Sequence, residues 1–230
     1  NLISLGLQFL PEVWMAMTGG IPKIILVAEF TGDSEEEIYQ KARAAESDIK
    51  PFGIRTHIAK NDQEESKYWT IRRQSFKLLT DHSHGQRTLP FIDDIVVNPE
   101  HLPEFLPRLQ EIMSHYDLTF TIAGHAGDGN FHIIPLDKIG DQKLKTIVPE
   151  LSEKVFDLVA EYKGSLTGEH NDGLVRTPYL NKMFSPEVLQ LFAEVKKIFD
   201  PKNIFNPGKK TGETLDYEVK HIDLDPTRHW

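Results

Sequence analysis

The segment Gly124-His125-Ala126-Gly127-Asp128-Gly129-Asn130-Phe131-His132 decides how the chain around it folds. It is flanked by residues 118–123 and 133–136, and both flanks are rich in the β-branched and aromatic residues that favour strands. The Gly-Asp-Gly-Asn sequence between the flanks predicts a four-residue turn over 127–130. The segment therefore predicts a β-hairpin.

The turn sets the register of this hairpin and therefore the positions of its two histidines. If Ala126 and Phe131 close the loop, His125 and His132 lie directly opposite each other on one sheet face, with Cβ atoms about 5 Å apart. Two imidazoles in this arrangement can share one metal ion, with Zn–N bonds of about 2.0–2.1 Å. A solvated cross-strand pair is the alternative for two histidines that flank a glycine-rich turn.

A second group of candidate ligands lies in Gly168-Glu169-His170-Asn171-Asp172-Gly173, which we predict to be a loop between two helices. Glu169 adds a carboxylate to the histidine pair, and His170 adds a third imidazole. Two histidines and one glutamate are a common ligand set that leaves a coordination position open for water or substrate. Together, the two segments favour a metal site over an incidental histidine pair.

Composition excludes several classes of function. The chain has 230 residues, of which 39% are hydrophobic, enough for one large domain or two small ones. The absence of cysteine excludes disulfides, a catalytic thiol and iron–sulfur ligation within the chain. A net charge of −9 argues against non-specific nucleic-acid binding. The sequence also lacks an apolar run long enough to span a membrane and the glycine motifs of nucleotide-binding loops.

Apolar patterning predicts alternating strands and helices before the hairpin. Strands are expected over 23–30, 53–59 and 89–97, and helices over 33–48, 64–79 and 100–115. Asp33 and Glu36 match a capping box at the start of the first helix.

Helices dominate the predicted structure after the hairpin. They are expected over 149–162, 173–183 and 186–199, followed by an irregular tail. The first of these should bury Leu151, Val155, Leu158 and Val159, and the last should bury Val188, Leu189, Phe192, Val195 and Phe199. The whole order contains a split βαβ arrangement. We therefore expect an α+β fold with a ferredoxin-like antiparallel or mixed sheet, helices on one face, and a helical C-terminal segment.

Several motifs together resemble the C-terminal domain of FAD-linked oxidases, the family of D-lactate dehydrogenase, the glycolate oxidase subunit and D-2-hydroxyglutarate dehydrogenase. They are the histidine motif at 124–132, Gly-Glu-His at 168–170, Phe-Asn-Pro-Gly-Lys at 205–209, Trp69-x-x-Arg72, and Asp93-Asp94-Ile95-Val96-Val97 with its following proline. The resemblance implies that 23–210 form a substrate- and metal-binding domain and 211–230 a surface tail. It also implies that 1–22 are the remnant of a linker from an N-terminal FAD-binding domain that the chain does not contain.

The resemblance implies a role for each matching residue in the two central motifs. His125, His132 and Glu169 match the metal ligands of the family. His170 matches the residue that takes the hydroxyl proton as hydride leaves for FAD, and a helix cap is its alternative role. A neutral imidazole is suited to accept a proton near pH 7.

Three further residues are implied to contact the substrate or the cofactor. Arg72 matches a ligand of the substrate carboxylate, and its alternative is a solvated helix position. Asn130 and Asn206 are candidates for contact with FAD, with turn formation as the alternative for each.

The function implied is that of a domain of a flavin-dependent 2-hydroxy-acid dehydrogenase, inactive without its FAD-binding domain. Ile134 and Ile92 stand where the hydroxyglutarate-type members carry a substrate-binding Asn and Lys, so a lactate- or glycolate-like substrate is expected. Asn171 replaces the glycine that usually follows Glu-His.

The expected cofactors are FAD and a divalent cation, zinc before manganese or iron. The expected partners are a small 2-hydroxy acid, the FAD-binding domain of the same polypeptide and an electron acceptor, and a homodimer is left open. The expected location is cytoplasmic or membrane-peripheral. Two alternatives remain from the residues alone: a self-contained metal-dependent hydrolase, and a non-catalytic ferredoxin-like binding module in which the histidine pair is incidental.

Overall fold

The computed structural model describes residues 24–81, 86–138, 140–212 and 214–225, apart from the side chains of 71, 72 and 74–81. The chain divides into two compact units, Asn1–Phe76 and Lys77–Trp230. The predicted linker remnant over 1–22 lies outside the described residues. Among the residues described, no helix combines the length and the apolarity needed to cross a bilayer.

The described residues of the first unit form helices and unpaired segments, and the last helix extends beyond Phe76. Helix α1 spans Glu35–Ile49, a 3-10 turn spans Lys50–Phe52, and helix α2 spans Asp62–Asp81. The cap of α1 is Ser34, whose hydroxyl accepts a hydrogen bond from the Glu37 amide at 3.3 Å, while the Glu37 carboxylate accepts one from the Asp33 amide at 3.0 Å. The N-cap therefore lies one residue later than predicted, at Ser34, which has the extended backbone of a cap residue.

Two strands predicted in this unit are wrong. Residues 24–30 and 53–59 have no strand pairing within the described residues. Ile24 and Leu26 are 78% and 77% exposed, so the apolar run does not enter the core of the described structure. A strand exists only through hydrogen bonds to a neighbour, and apolar patterning does not supply that neighbour.

The second unit holds a four-stranded antiparallel sheet built around its longest strand. The strands are β1 (Gln86–Thr88), β2 (Ile95–Val96), β3 (Thr119–His125) and β4 (Asn130–Lys138). β3 follows β4 along one edge, and β1 and β2 pair with opposite ends of its other edge. Together with the helices, this sheet confirms the α+β class.

The strand predicted over 89–97 is wrong in its extent. Of these residues, only β2 belongs to a strand; β1 ends at Thr88, before the predicted start, and residues 89–94 form a non-strand segment between the two. Asp94, at the end of this segment, has a φ of +64°, which is incompatible with an extended strand. The interruption is important for the site, because it takes Asp93 and Asp94 out of the sheet ladder.

The described part of the second unit contains four helices in the predicted order, with changed ends, and a fifth that was not predicted. They are α3 (Leu102–Ser114), α4 (Leu144–Glu161), α5 (Gly173–Arg176), α6 (Pro186–Phe199) and α7 (Leu215–Lys220). A 3-10 helix over Thr177–Lys182 continues from α5. Helix α7 corrects the prediction of an irregular tail, and its Glu218 is buried.

The hydrophobic core of this unit lies between the sheet and helices α3 and α4. The predicted buried stripe of α4 is confirmed: Leu151, Val155, Leu158 and Val159 are all buried. Helix α3 and the sheet supply the side chains that face this stripe: Phe105, Leu109 and Met113 from α3, and Ile95, Phe131 and Ile133 from the sheet. The inward face predicted for α6 is wrong in its second half, where Val195 and Phe199 are 54% and 80% exposed. Its first half is the part that packs, since the Phe192 ring lies 5.1 Å from that of Phe184.

Candidate functional site

The hairpin places the two motif histidines on one sheet face, in a register that differs from the prediction. His125 pairs with Asn130 and His132 with Ala123, whereas the sequence predicted His125 opposite His132. This shift of two residues keeps both histidines on the same face, because side chains alternate with a period of two. Their ring centroids are 5.7 Å apart, so the rings are diagonal neighbours.

Gly129 is the physical reason for this register. It adopts a φ of +67° and closes the 3-10 turn Ala126–Asp128 by donating its amide to the Ala126 carbonyl at 3.1 Å. A Cβ at this position would lie 1.7 Å from the Val97 carbonyl oxygen, so no other residue fits without a backbone shift. The turn therefore lies one residue earlier than predicted, and Asn130 already belongs to β4.

A single carboxylate, that of Asp93, joins two imidazoles of the site. Its Oδ1 lies 3.1 Å from Nδ1 of His132, and its Oδ2 lies 3.1 Å from Nδ1 of His170. The two imidazole rings are stacked, with centroids 5.1 Å apart and an interplanar angle of 22°. Asp93 itself is 8% exposed. The carboxylate is therefore a buried bridge beneath the two rings.

The other nitrogens of these rings meet the carboxylate of Glu169. Its Oε1 lies 3.3 Å from Nε2 of His132 and 3.6 Å from Nε2 of His170. Glu169 is exposed, in contrast to Asp93. The Nε2 atoms and the glutamate thus form the accessible side of the cluster.

Asp94 holds the loop that carries Glu169 and His170. Its Oδ2 accepts hydrogen bonds from the amides of Gly168 and His170 at 2.8 and 2.9 Å. The Thr167 hydroxyl donates to the same oxygen at 2.9 Å, and the Glu169 amide lies 3.1 Å from both oxygens. Burial by itself raises the pKa of Asp94, but these donors outweigh it and hold the pKa well below its usual range.

The loop approaches the sheet so closely that a Cβ at residue 168 would displace neighbouring side chains. A Cβ on this residue would lie 2.4 Å from Nδ2 of Asn130 and 2.9 Å from Cγ2 of Val96. Before this point, the main chain of Ser165 pairs with Val96 through two hydrogen bonds of 2.8 and 2.9 Å. The loop is therefore attached to β2, and glycine allows it to pass over Asp94.

Arg176 stabilises the main chain around Asp93 and Asn171. Its guanidinium donates to the main-chain oxygens of Asp93 and Asn171 at 2.5 and 2.9 Å. Burial lowers the pKa of Arg176, although the charges of Asp94, Asp93 and Asp172 act in the opposite direction. Asn171 has a φ of +62°, a left-handed conformation that favours glycine.

The sequence predictions for this site meet different outcomes. His132, Glu169 and His170 come together, and the ring of His125 lies beside that of His132. Asn130 is buried and donates its side-chain amide to Asp94 at 3.0 Å. These placements do not test the proposed roles.

Two further predicted site residues, Arg72 and Asn206, remain to be placed. The side chain of Arg72 lies outside the described residues. Asn206 is exposed with a φ of +45°, as expected of a residue that shapes a turn before a proline. Its role towards FAD stays a prediction.

Asp93, Asp94 and Arg176 were given no role from the sequence, although they organise the cluster. One signal could have found the two aspartates, since an acidic pair within the apolar segment Phe91–Val97 is unusual for a strand. Arg176 gave no comparable signal, because its burial depends on residues 83 positions away.

The donor set fits a divalent cation. One ligand atom from each of Asp94, His132, Glu169 and His170 lies within 4.8 Å of the others. Both oxygens of Asp94 already accept hydrogen bonds from the loop, so the imidazoles and Glu169 are the atoms that can bind a metal. Imidazole nitrogens with a carboxylate oxygen are typical ligands of zinc and related ions.

Comparison with known proteins gives a family and several relatives. Residues 21–210 match the family of FAD linked oxidases, C-terminal domain. The D-2-hydroxyglutarate dehydrogenase of Pseudomonas putida is 30% identical over 189 residues, which are 80% of this chain and 19% of that protein. That of Haemophilus influenzae is 28% identical over 190 residues, 80% of this chain and 18% of the relative. The D-lactate dehydrogenase of Anaerostipes hadrus is 29% identical over 186 residues, 80% and 38% of the two chains. The chain therefore spans about a fifth of the length of the two longer relatives.

Proposed function

The chain belongs to the family of C-terminal domains of FAD-linked oxidases, and from this we propose that it is the substrate- and metal-binding domain of a flavin-dependent 2-hydroxy-acid dehydrogenase. The observation that supports the proposal best is the convergence of His132, Glu169 and His170 above the buried Asp93. Such a cluster of imidazole and carboxylate groups suits both cation binding and proton transfer.

We assign the metal to His125, His132 and Glu169. His125 is included because its ring adjoins that of His132 on the same sheet face. When bound, a divalent cation would lower the pKa of the substrate hydroxyl, and FAD would supply the hydride acceptor. In this proposal, FAD is held mainly by a separate FAD-binding domain of the same polypeptide, and zinc is the preferred metal.

His170 is assigned the role of the base that accepts the hydroxyl proton. Its Nδ1 faces Asp93 at 3.1 Å, so Nε2 is the ring atom available to the substrate. Its side chain is 47% exposed, which leaves this atom accessible. Arg72 is assigned to the substrate carboxylate, since a guanidinium binds carboxylates through two parallel hydrogen bonds.

We propose a 2-hydroxy monocarboxylate, such as lactate or glycolate, as the substrate. Ile92 is completely buried in the core and Ile134 is 8% exposed, so neither position offers a polar contact to a second carboxylate. The relatives include proteins named for D-2-hydroxyglutarate and for D-lactate, so their names leave both substrate classes open. A substrate screen of the complete polypeptide in which only 2-hydroxydicarboxylates are oxidised would refute the monocarboxylate.

Zinc binding to the 230-residue chain tests the metal site directly. We expect calorimetry to show one zinc ion per chain for the wild type. His132→Ala and Glu169→Gln should each weaken binding about 10-fold or more, because each removes a ligand. His115→Ala is the control, since this histidine is exposed and lies at the C-terminal end of α3.

Two results would overturn the proposal. The first is a wild-type chain that binds no stoichiometric zinc, or a His115→Ala variant that loses as much affinity as His132→Ala. The second is oxidation of a 2-hydroxy acid by the 230-residue chain with a dye acceptor and no added flavin. We expect no such turnover, because the chain is proposed to depend on an FAD-binding domain.

A further inference from the structure

We propose that Asp93 is a positioning residue that fixes the orientation and the tautomer of two imidazoles at once, those of His132 and His170. The inference rests on the proposed function only for the tasks of these imidazoles, metal binding and proton acceptance. The positioning itself follows from contacts within the described chain.

The geometry gives each imidazole its own acceptor. Oδ1 of Asp93 faces His132 and Oδ2 faces His170, both at 3.1 Å from Nδ1. Because each ring uses a different oxygen, neither has to share an acceptor with the other. The two rings consequently stack with an interplanar angle of 22°.

The main chain that carries this carboxylate is held from two directions. The main-chain oxygen of Asp93 accepts a hydrogen bond from the buried guanidinium of Arg176. The next residue, Asp94, is attached to the loop of His170 through the amides of Gly168, Glu169 and His170. The acceptor for both rings is therefore fixed by main-chain contacts that do not depend on the rings.

This acceptor selects one tautomer of each ring. A carboxylate only accepts hydrogen bonds, so both Nδ1 atoms must carry the proton. The competing arrangement would place the proton on Nε2, facing Glu169 at 3.3 and 3.6 Å. The Asp93 carboxylate is the stronger acceptor for the ring protons, because it is buried and lies closer to the rings than Glu169 does. A hydrogen bond to a charged group is stronger where water is excluded.

The consequence is that the Nε2 lone pairs of His132 and His170 point to the same accessible side as Glu169. A metal ion needs the lone pair of an imidazole nitrogen, and so does a proton acceptor. Asp93 thus orients both the metal ligand His132 and the base His170, although it contacts neither metal nor substrate.

Long-range ¹H–¹⁵N NMR of histidine-labelled chain, recorded without metal at a pH where the rings are neutral, tests this directly. We expect Nδ1–H on both His132 and His170 in the wild type. The isosteric Asp93→Asn side chain has one oxygen and one NH₂ group, so it can accept from only one ring. We therefore expect one histidine to keep Nδ1–H and the other to change to Nε2–H, and Asp93→Ala to release both. Asp128→Asn, an exposed carboxylate in the hairpin turn, should change neither.

Zinc affinity supplies a second readout. Loss of a hydrogen-bonding partner behind a metal-binding histidine typically weakens binding about 10–100-fold, and we expect this for Asp93→Asn with little change in the ¹H–¹⁵N fingerprint of the remaining chain. The inference is wrong if both rings keep Nδ1–H in Asp93→Asn, or if the wild type binds zinc and the substitution leaves this affinity unchanged. Because the tautomers are measured without metal or turnover, a wild type that shows Nδ1–H but binds no zinc would overturn the proposed function and leave the positioning role intact.

Discussion

Asp94→Asn should destabilise the second unit, because the substitution reverses the polarity of a buried acceptor without changing its size. Asp94 is completely buried and its two oxygens face the amides of Gly168, Glu169 and His170. An asparagine NH₂ group placed at Oδ2 would oppose the amides of Gly168 and His170. Placed at Oδ1, it would oppose the side-chain amide of Asn130 instead, while the Glu169 amide could still donate to the oxygen at Oδ2.

The magnitude follows from the number of donors left without an acceptor. With the NH₂ group at Oδ2, the amides of Gly168 and His170 lose their acceptor; at Oδ1, the side-chain amide of Asn130 loses its acceptor, and the Glu169 amide keeps the other oxygen. The less costly orientation thus leaves one buried N–H group unsatisfied, and each such group costs about 1–3 kcal/mol. We therefore expect a loss of about 2 kcal/mol in the free energy of unfolding. With a urea m-value of about 2–3 kcal/mol/M, the midpoint of the second unit should fall by about 1 M.

Urea unfolding followed by circular dichroism measures the global effect, and hydrogen–deuterium exchange of residues 165–171 measures the local one. The pKa of Asp94 is held low in the folded state, so its contribution is present above the usual aspartate range and is lost as pH falls through the folded pKa. The difference between wild type and Asp94→Asn should therefore shrink in acid. Asp117→Asn, an exposed aspartate, is the control. A loss below about 0.5 kcal/mol, with unchanged exchange in the loop, would refute the reasoning.

Two further substitutions test other parts of the second unit. Gly168→Ala places a methyl group 2.4 Å from Nδ2 of Asn130, so we expect the free energy of unfolding to fall by about 1–3 kcal/mol and zinc binding to weaken. Gly127→Ala is the control, because a Cβ at this position meets open space and should change neither quantity. Equal effects of the two substitutions in urea unfolding would contradict the close approach. Burial raises the pKa of Glu218 from 4.5 to about 7, although a hydrogen bond from the Tyr179 hydroxyl acts in the opposite direction. The contribution of Glu218 to the stability of the folded state is therefore complete below pH 4.5 and is lost as pH rises through 7. Glu218→Gln should remove this pH dependence, so that its free energy of unfolding rises by about 2–3 kcal/mol relative to that of the wild type between pH 4 and pH 8. Parallel curves of stability against pH for the two proteins would contradict the raised pKa of Glu218.

Local patterns predicted the elements whose stability comes from their own sequence. The helix α6 begins at the Pro186 that follows Ser185, and α4 buries the apolar stripe that its spacing predicts. The α+β class followed from the same periodicities. The predictions failed where an apolar segment needs a partner elsewhere, as at 24–30 and 53–59, or where a helix end is left uncovered, as at Phe199.

The hairpin was predicted in the wrong register, but both histidines were placed on the same sheet face as in the structure. The turn composition predicted a hairpin, but the contact of Gly129 with the Val97 carbonyl fixed its register. This contact lies 32 residues away in sequence, so no local rule could supply it. The histidines stayed on one face only because the shift was an even number of residues.

The sequence by itself determined which groups the site contains: the imidazoles, the glutamate and the glycine-rich segments that present them, together with the family to which the chain belongs. Only the tertiary structure decided how these groups are oriented. Asp93 lies 39 residues from His132 and 77 from His170, and the guanidinium of Arg176 reaches the Asp93 main chain across 83 residues. Residue types and short spacings are written locally along the chain. By contrast, the choice of acceptor for a buried imidazole depends on which distant segments pack together, and that choice is made only when the core and the loop close around Asp93 and Asp94.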